Sequence, residues 1–295
     1  MRNDGLFQTN DVTKSDRYLH TPSSFARQNL LYVQEVGRLT SLNQHRCVRE
    51  GLDSFLLMIV LKGQGVLTIK DKAYNMSAGN IALIDCREHY EHISDVQDAW
   101  TLCWVHFNGV SARNYYELFL RYSKGVNVFS VDHTSPWEKA IDSLMEKQQD
   151  KSIIAEMQCG ELLLKLLSDT IGHVADASML RDEENRKLVQ DVREYLHENY
   201  ADADVVQKVS ETYSVAYEEL NRLFRVYFSM TMEEYVSNRR FLVAKELLRF
   251  SIKSVNEVAQ ESGIRDVIAM QQMFYDKENM TADEYRSRWA QWIRS

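Results

Sequence analysis

One pattern occurs twice in the last third of the chain: a short apolar helical face, a break, and a longer apolar stripe. In its first occurrence Ser214 stands at the break and is suited to cap the helix that follows. The apolar positions keep helical spacing: Val206, Val209 and Tyr213, then Ala216, Leu220, Leu223 and Phe224. Two short helices joined in this way predict a helix-turn-helix.

The pattern returns about fifty residues later, with Gly263 at the break and Asp266 as the predicted cap of the second helix. Apolar positions between Met232 and Leu248 favour one longer helix between the two occurrences. That helix would hold the second helices of the two units at a fixed separation. A fixed separation would let both helices enter successive turns of one DNA major groove, which are roughly 34 Å apart. Residues 186–295 are therefore predicted to form an all-α domain of two helix-turn-helix units joined by a linker helix.

Polar residues that lie off the apolar stripes are the candidates for contact with DNA. Arg222, Asn221 and Arg225 suit phosphates and base edges, and Tyr217 and Glu218 are expected to lie nearer the bases. In the second unit the candidates are Arg265, Gln271 and Gln272.

This region resembles the DNA-binding domain of the AraC/XylS family of bacterial transcription regulators. The resemblance runs in register over about a hundred residues. The residues that match the family pattern are Leu220, Arg222 and Phe224 in the first unit, Tyr235, Arg240, Ala244, Leu247 and Leu248 in the linker helix, and Ala259, Gly263, Phe274, Tyr285 and Arg286 in the second unit. The resemblance implies a transcription regulator that binds double-stranded promoter or operator DNA, with RNA polymerase as a further candidate partner.

The charge of the same region leaves an alternative open. From Asn185 to the end there are 16 Lys and Arg residues against 18 Asp and Glu, a net charge of −2, whereas binding to nucleic acid depends on cations near phosphate. Gln272 stands where the family has an arginine, and Tyr275 and Asp276 stand where lysine is common. The alternative is a degenerate family member that acts through protein–protein interaction, with weak or no binding to DNA.

Glycine and proline divide the chain into two structural classes. Ten of the eleven glycines and both prolines lie at or before Gly172, so the first part has the turn residues of a sheet. Short runs rich in β-branched and aromatic residues predict the strands of a barrel or jelly roll: 31–36, 55–61, 66–69, 81–84, 100–107 and 126–131. Residues 1–25 are weakly patterned and are predicted to form a flexible N-terminal arm. The fold class is therefore α+β.

The resemblance to the AraC/XylS family extends into the N-terminal part. Gly63-Gln64-Gly65 and Ala78-Gly79 match a pair of turns in the family's barrel hairpin, and a tryptophan signature is matched by Trp100, Trp104, Val105, His106, Phe107 and Gly109. The resemblance implies a cupin-like β-barrel, with flanking helices, that binds a small-molecule effector.

Arg49 enters the first strands of this barrel, where a guanidinium suits a carboxylate or a sugar hydroxyl. We therefore expect Arg49, His89 and Tyr90 to bind the effector, with a sugar as one candidate class. The alternative for Arg49 is a rim position with an ion pair to Glu50 or Asp53.

No sequence motif favours catalysis. The positions at which metal-dependent cupins place their first ligands hold Arg49, Gly51 and Leu56, and the chain has no His-x-His pair. No Walker loop, GxGxxG, GxSxG or HExxH motif is present. We expect no metal, no cofactor, no catalytic residue and no enzyme activity; a cupin enzyme with an appended helical domain is the less favoured alternative.

Helices are predicted at about 137–172, where the second is longer and more apolar than one barrel face requires. The resemblance implies that they form a homodimer interface, and packing onto the barrel is the alternative. Residues 26–173 are thus the effector-binding and dimerisation domain, and residues 174–185, which lose periodicity and gain charge, are the predicted linker.

Four scattered cysteines, with no CxxC pair, suit a reducing compartment. No apolar run approaches the roughly 18 residues of a membrane span, and Asp4 and Asp11 interrupt any signal-peptide core. These features predict a cytoplasmic protein without a membrane partner.

Overall fold

The computed structural model describes residues 6–9, 12–180 and 183–290. They belong to two compact units, Met1–Leu180 and Arg181–Ser295, referred to below as the N-terminal and C-terminal units. The strands of the N-terminal unit are β1 (Leu6–Thr9), β2 (Thr13–Leu19), β3 (Leu31–Ser41), β4 (Arg46–Arg49), β5 (Phe55–Lys62), β6 (Gln64–Ile69), β7 (Lys72–Ser77), β8 (Asn80–Asp85), β9 (Tyr90–Ser94), β10 (Thr101–Gly109) and β11 (Val128–Ser130). Its helices are α1 (Ser24–Asn29), α2 (Ala112–Tyr122), α3 (Ser135–Lys147) and α4 (Ile153–Leu180).

Within the described residues these strands form two antiparallel sheets. The larger has the order β1-β2-β3-β10-β5-β8-β11, and the smaller has the order β4-β9-β6-β7. β5 reads as a continuous apolar run because both of its faces are buried. Phe55, Leu57 and Ile59 belong to a core shared with α2, α3 and α4, whereas the alternate residues belong to a second core shared with the smaller sheet. The structure confirms a cupin-like barrel with flanking helices.

Trp100, which is fully buried, fixes how the smaller sheet approaches the chain before β10. A Cβ atom at Gly65 would lie 2.3 Å from Cζ3 of this tryptophan. Only glycine leaves room for the ring at this point of β6. The glycine turn and the tryptophan signature of the sequence therefore share one packing contact.

The prediction that residues 1–25 form a flexible arm is wrong for the residues of β2. Thr13–Leu19 pairs with β3 along its whole length and buries Thr13, Ser15 and Tyr18. Two of these three side chains are small and polar, so their polarity concealed a strand face. The chain just before α1 is also fixed, because the Glu156 carboxylate of α4 accepts the Ser23 backbone N–H at 2.7 Å. Residues 1–5, 10 and 11 lie outside the described residues.

The predicted linker, residues 174–185, is helical over most of its length. α4 continues to Leu180, and Val174 and Ala175 are buried on it. No proline interrupts this stretch, and burial of an apolar stripe is what sustains a helix in a protein. The next helix begins at Glu183, and residues 181 and 182 lie outside the described part.

The C-terminal unit is helical, as predicted, with two helix-turn-helix units joined by one long helix. Its helices are α5 (Glu183–Glu198), α6 (Val205–Tyr213), α7 (Tyr217–Phe228), α8 (Met232–Phe250), α9 (Val255–Glu261), α10 (Val267–Glu278) and α11 (Ala282–Trp289). α8 is shared between two cores. Met232 and Val236 pack with α5, α6 and α7, whereas Phe241, Ala244 and Leu248 pack with α9, α10 and α11.

Two interactions attach the linker helix α8 and the second helix-turn-helix unit to the chain between α5 and α6. Arg240 of α8 donates from Nε to the Tyr200 carbonyl at 2.7 Å and from Nη2 to the Asp202 carbonyl at 2.9 Å. Gly263, in the turn between α9 and α10, has φ +72°, and a Cβ there would lie 2.5 Å from Cα of Ala201. The second turn thus packs directly onto backbone of the first half of this unit. No helix among the described residues has the length and apolar character needed to cross a membrane.

Candidate nucleic-acid interface and effector cavity

The two helix-turn-helix units repeat each other with an offset of fifty residues. α7 begins at Tyr217 and α10 at Val267, and each ends in a left-handed C-cap residue followed by a threonine capping box. The matched pairs are Ser229 and Asn279 at the C-cap, Thr231 and Thr281 at the next N-cap, Glu234 and Glu284 in the capping box, and Tyr235 and Tyr285 against the buried phenylalanines Phe224 and Phe274. Residues fifty apart can therefore be compared directly.

The helix entries differ between the two units. Ser214, predicted to cap α7, is instead the C-cap of α6 in the left-handed region at φ 54°, and Ala216 precedes α7 without a side-chain cap. Asp266 caps α10 as predicted, because its carboxylate accepts the Ala269 N–H at 2.7 Å.

Each reader helix, α7 or α10, exposes one face at the same four positions of the repeat. On α7 this face consists of Glu218, Arg222, Arg225 and Val226; on α10 it consists of Ile268, Gln272, Tyr275 and Asp276. The spacing i, i+4, i+7 and i+8 places all four on one side of a helix. The first face has two guanidinium groups, whereas the second has none.

Three of the predicted DNA contacts are instead engaged within the fold. The side-chain oxygen of Asn221 accepts the N–H of Met232 at 3.2 Å, and that of Gln271 accepts the N–H of Ala282 at 2.7 Å. The Tyr217 hydroxyl donates to the Glu233 carboxylate. All three side chains are half-buried and join their reader helix to the helix that follows.

The other five predicted contacts are exposed to solvent. They are Glu218, Arg222, Arg225, Arg265 and Gln272. Arg222 forms an ion pair of 2.5 Å with Glu219, and Arg265, whose side chain is 83% exposed, forms one of 2.8 Å with Asp266. Exposed pairs of this kind contribute little stability, so either arginine can exchange its partner for a phosphate at small cost. Val226, Ile268, Tyr275 and Asp276 lie on the same exposed faces but were not predicted, and the offset of fifty residues relates Ile268 to Glu218 and Tyr275 to Arg225.

A cavity of about 350 Å³ lies between the two sheets of the N-terminal unit. Its apolar lining consists of Leu19, Leu39, Leu52, Leu56, Met58, Leu102 and Trp104; Cys47, Tyr90 and several polar and charged side chains complete it. The polar residues are Arg17, Gln34, Glu35, His45, Arg49, Asp53, Ser54, His92 and His106. An apolar lining with a few convergent polar groups is typical of a small-molecule site.

Two of the three predicted effector-binding residues line the cavity, and the third does not. Arg49 and Tyr90 line the cavity, whereas His89 does not: its side chain is 44% exposed and its Nδ1 lies 3.5 Å from a Glu50 carboxylate oxygen. β9 begins at Tyr90, so its alternate residue His92 is the histidine that faces inward. The period of two in this strand would have identified it. No ion pair of Arg49 with Glu50 or Asp53 is present among the described residues.

The histidines of the cavity are held uncharged. Burial lowers the pKa of His92 to about 3, with the neighbouring His45 and Arg49 as further causes. Burial also lowers the pKa of His106 to about 4, and that of His45 below its usual value. At neutral pH each imidazole therefore offers one donor and one acceptor.

Several polar atoms at the cavity have no hydrogen-bond partner among the residues that the structure describes. They are Nδ1 of His45 and of His92, Oε1 of Gln34 and Nε of Arg17. In contrast, the Ser54 hydroxyl is 3.0 Å from Nδ1 of His106. A buried polar group without a partner is costly to the fold. Over the described ranges, no group of three His, Cys, Asp or Glu side chains is arranged to hold a metal ion.

Comparison with known proteins assigns both units. Residues 32–167 match the model of the AraC-like ligand binding domain, and residues 209–288 match a helix-turn-helix domain. The chain is 24% identical to the Msm operon regulatory protein of Streptococcus mutans, over 79% of this chain and 84% of that protein. It is 20% identical to the lactose operon transcription activator of Staphylococcus xylosus, over 78% and 83%.

The crystal structure of the AraC-like transcriptional activator CuxR superposes with a TM-score of 0.36 at 12% identity, covering 78% of this chain and 79% of that one. The two matching domain models together span more than half of the chain, in the order ligand-binding domain and helix-turn-helix domain. The chain therefore belongs to the AraC/XylS family of transcription regulators.

Proposed function

We propose that this regulator binds specific DNA sequences and that a small polar molecule bound in the N-terminal cavity modulates its activity. The observation that carries the effector proposal is the cavity of about 350 Å³, whose lining includes the uncharged His45 and His92. The DNA proposal is supported by the exposed Arg222 and Arg225 of the first reader helix, which suit phosphates and guanine edges.

A sugar is the ligand class that the cavity favours. Uncharged imidazoles both donate and accept hydrogen bonds, as sugar hydroxyls do. Trp104 supplies an aromatic wall, and the Arg17 guanidinium lies 5.7 Å from the centre of its ring. The relative from Staphylococcus xylosus is named for a lactose operon, which agrees with this class. Arg49 at the entrance adds a donor for a hydroxyl or a carboxylate.

We infer that the protein acts as a homodimer through α4. Leu163, Leu166 and Leu167 are buried in the core shared with the barrel, so the alternative of intramolecular packing accounts for one face of this helix. Ile153, Ile154, Met157 and Leu164 are each more than 40% exposed on α4. An effector changes the DNA geometry that two joined copies span only if its affinity differs between the two arrangements.

The DNA proposal is tested by binding the purified protein to upstream fragments of its own genome at two salt concentrations. Selective retention that weakens steeply with salt is expected. The matched control is a variant with Arg222→Gln and Arg225→Gln, which should lose retention while remaining folded. A folded protein that selects no fragment at low salt, with or without sugars, would favour the degenerate alternative that acts through protein partners.

The effector proposal is tested by the shift in unfolding temperature with a panel of mono- and disaccharides. At least one sugar should raise the unfolding temperature of the wild type, because a ligand that binds only the folded state stabilises it. His45→Ala should lose that shift, and His89→Ala, which alters a histidine outside the cavity, should keep it. Equal shifts in both variants would place the ligand elsewhere.

A further inference from the structure

The second reader helix, α10, has an isoleucine on its solvent-exposed face, although this residue type is usually buried. Ile268 is 80% exposed, whereas Met270 and Phe274 of the same helix are fully buried. Ile268 is the second residue of α10, and N-terminal residues of a recognition helix are those that contact base edges. Its counterpart in the repeat is Glu218, also exposed, on the first reader helix. Ile268 is not part of the hydrophobic core that α10 shares with α8, α9 and α11.

We propose that α10 recognises an A·T base pair, with Ile268 against the thymine methyl group and Gln272 on the adenine. This inference rests on the proposed binding to DNA. In the major groove only thymine presents a methyl group, and an amide side chain pairs with adenine through N6 and N7. Ile268 and Gln272 are four residues apart, so they lie one turn from each other on the exposed face.

Gln272 can give up its present hydrogen bond for contacts with adenine. Its amide nitrogen donates to the Asp276 carboxylate at 2.7 Å within the same helix, and both side chains are exposed. Replacing one exposed hydrogen bond by two to an adenine edge leaves no buried group unpaired. Asp276, at the last position of the face, disfavours a phosphate there, so contact is confined to the first turns of α10.

Phosphate contacts of the second unit come from outside this face. Arg265 lies just before α10 with an 83% exposed side chain. It provides positive charge at the helix entry, three residues before Ile268 in the chain. The first reader helix, with Arg222 and Arg225, suits guanine or phosphate instead. The two units therefore read different chemistry, and each half of the bound site should be distinguishable by base content.

The test uses the full-length protein and the fragment that it retains most strongly. Each thymine is replaced in turn by uracil, which removes only the methyl group. For one thymine in the part covered by the second unit, uracil should weaken binding of the wild type about fourfold, as expected for one buried methyl group. The Ile268→Ala variant should bind both DNAs with equal affinity, close to that of the wild type on uracil DNA.

Glu218→Ala, at the matched position of the first unit, is the control and should retain the uracil effect. Gln272→Ala should reduce discrimination against a G·C pair at that same base pair by about tenfold. Ile268→Ala should leave the salt dependence unchanged, since it removes no charge. If uracil affects the wild type and Ile268→Ala equally at every thymine, the inference is overturned while the binding to DNA stands. If no fragment is selected at all, the proposed function fails first.

Discussion

Asn221 and Gln271 make the same hydrogen bond at equivalent positions of the two helix-turn-helix units. Each side-chain oxygen accepts the first backbone N–H of the helix that follows its reader helix, Met232 in one case and Ala282 in the other. These N–H groups have no partner within their own helix. An amide of the reader helix thus satisfies the start of the next helix and fixes the angle between them.

We therefore predict that Gln271→Ala destabilises the C-terminal unit by about 1 kcal/mol, the usual cost of losing a helix cap. Asn221→Ala should behave similarly. Gln272→Ala is the matched control, because the neighbouring amide is exposed and should change stability by less than about 0.5 kcal/mol. Denaturant unfolding measures all three. Equal stabilities of the two glutamine variants would mean that the Gln271 hydrogen bond does not hold α11.

The exposed guanidinium groups of α7 should determine the salt dependence of binding to DNA. Replacing Arg222 and Arg225 by glutamine should lower the slope of log affinity against log salt by about one for each phosphate that is no longer neutralised. Lysine at both positions keeps the charge and should keep the slope, without the bidentate hydrogen bonds of arginine. An unchanged slope in the glutamine variant would assign the phosphate contacts to other residues.

The secondary structure could be predicted from the sequence more completely in the C-terminal unit than in the N-terminal unit, and the reason is physical. The helices of the C-terminal unit bury wide apolar stripes, so Leu220, Phe224 and Phe274 revealed them directly. Strands β2 and β9 bury small polar or histidine side chains, and polarity alone does not separate such residues from solvent-facing ones. Ser15 and His92 are buried in spite of their polarity.

Site residues were harder to predict than the fold. Asn221, Gln271 and Tyr217 have the right chemistry for DNA, yet each is engaged by the following helix, and only the three-dimensional arrangement shows that contact. The same holds for His89, which lies just before β9 and outside the cavity, whereas His92 lies within β9 and lines the cavity. Chemistry selects residue types, whereas the direction of a side chain depends on register.

Gly263 should tolerate no side chain. Gly263→Ala would combine an unfavourable positive φ with a Cβ atom 2.5 Å from Cα of Ala201, so we expect a loss of more than about 2 kcal/mol in the C-terminal unit. Gly125→Ala is a matched control in the N-terminal unit: its φ is +78° and nothing lies within 4 Å of the added Cβ. It should cost about 1 kcal/mol, the usual cost of a side chain in the left-handed region. Similar losses in the two variants would show that the packing against Ala201 is relaxed.

The exposed face of α4 should control self-association. Ile154, 57% exposed, and Met157, 47% exposed, are predicted to lie in the dimer interface. Substituting both by aspartate should shift the protein to monomers in sedimentation velocity, since buried unpaired charges are strongly unfavourable. Val110→Asp, at an apolar residue that is 70% exposed after β10, should leave the assembly unchanged. A monomeric wild type, or a dimeric double variant, would exclude this face.

The histidines of the cavity should make the N-terminal unit sensitive to acid. Burial lowers the pKa of His92 to about 3, below its value of about 6.5 in an unfolded chain, so the unfolded state binds the proton first. The stability associated with the neutral imidazole is complete above pH 6.5 and is lost as the pH falls from there toward 3. The loss should approach about 1.4 kcal/mol per pH unit for this one group.

His92→Gln should remove that part of the slope, measured by denaturant unfolding monitored through tryptophan fluorescence between pH 7 and pH 5. The burial of His106, whose pKa is about 4, will leave a second, similar slope in the variant. His89→Gln is the control, because it leaves every buried imidazole in place. A sugar hydroxyl that donates its hydrogen bond to the unprotonated ring nitrogen of His92 should also bind more weakly as the pH falls, because protonation removes that acceptor, provided that folded protein is still present. If His92→Gln and the wild type lose stability in parallel on acidification, then His92 is not held neutral by its burial between the two sheets.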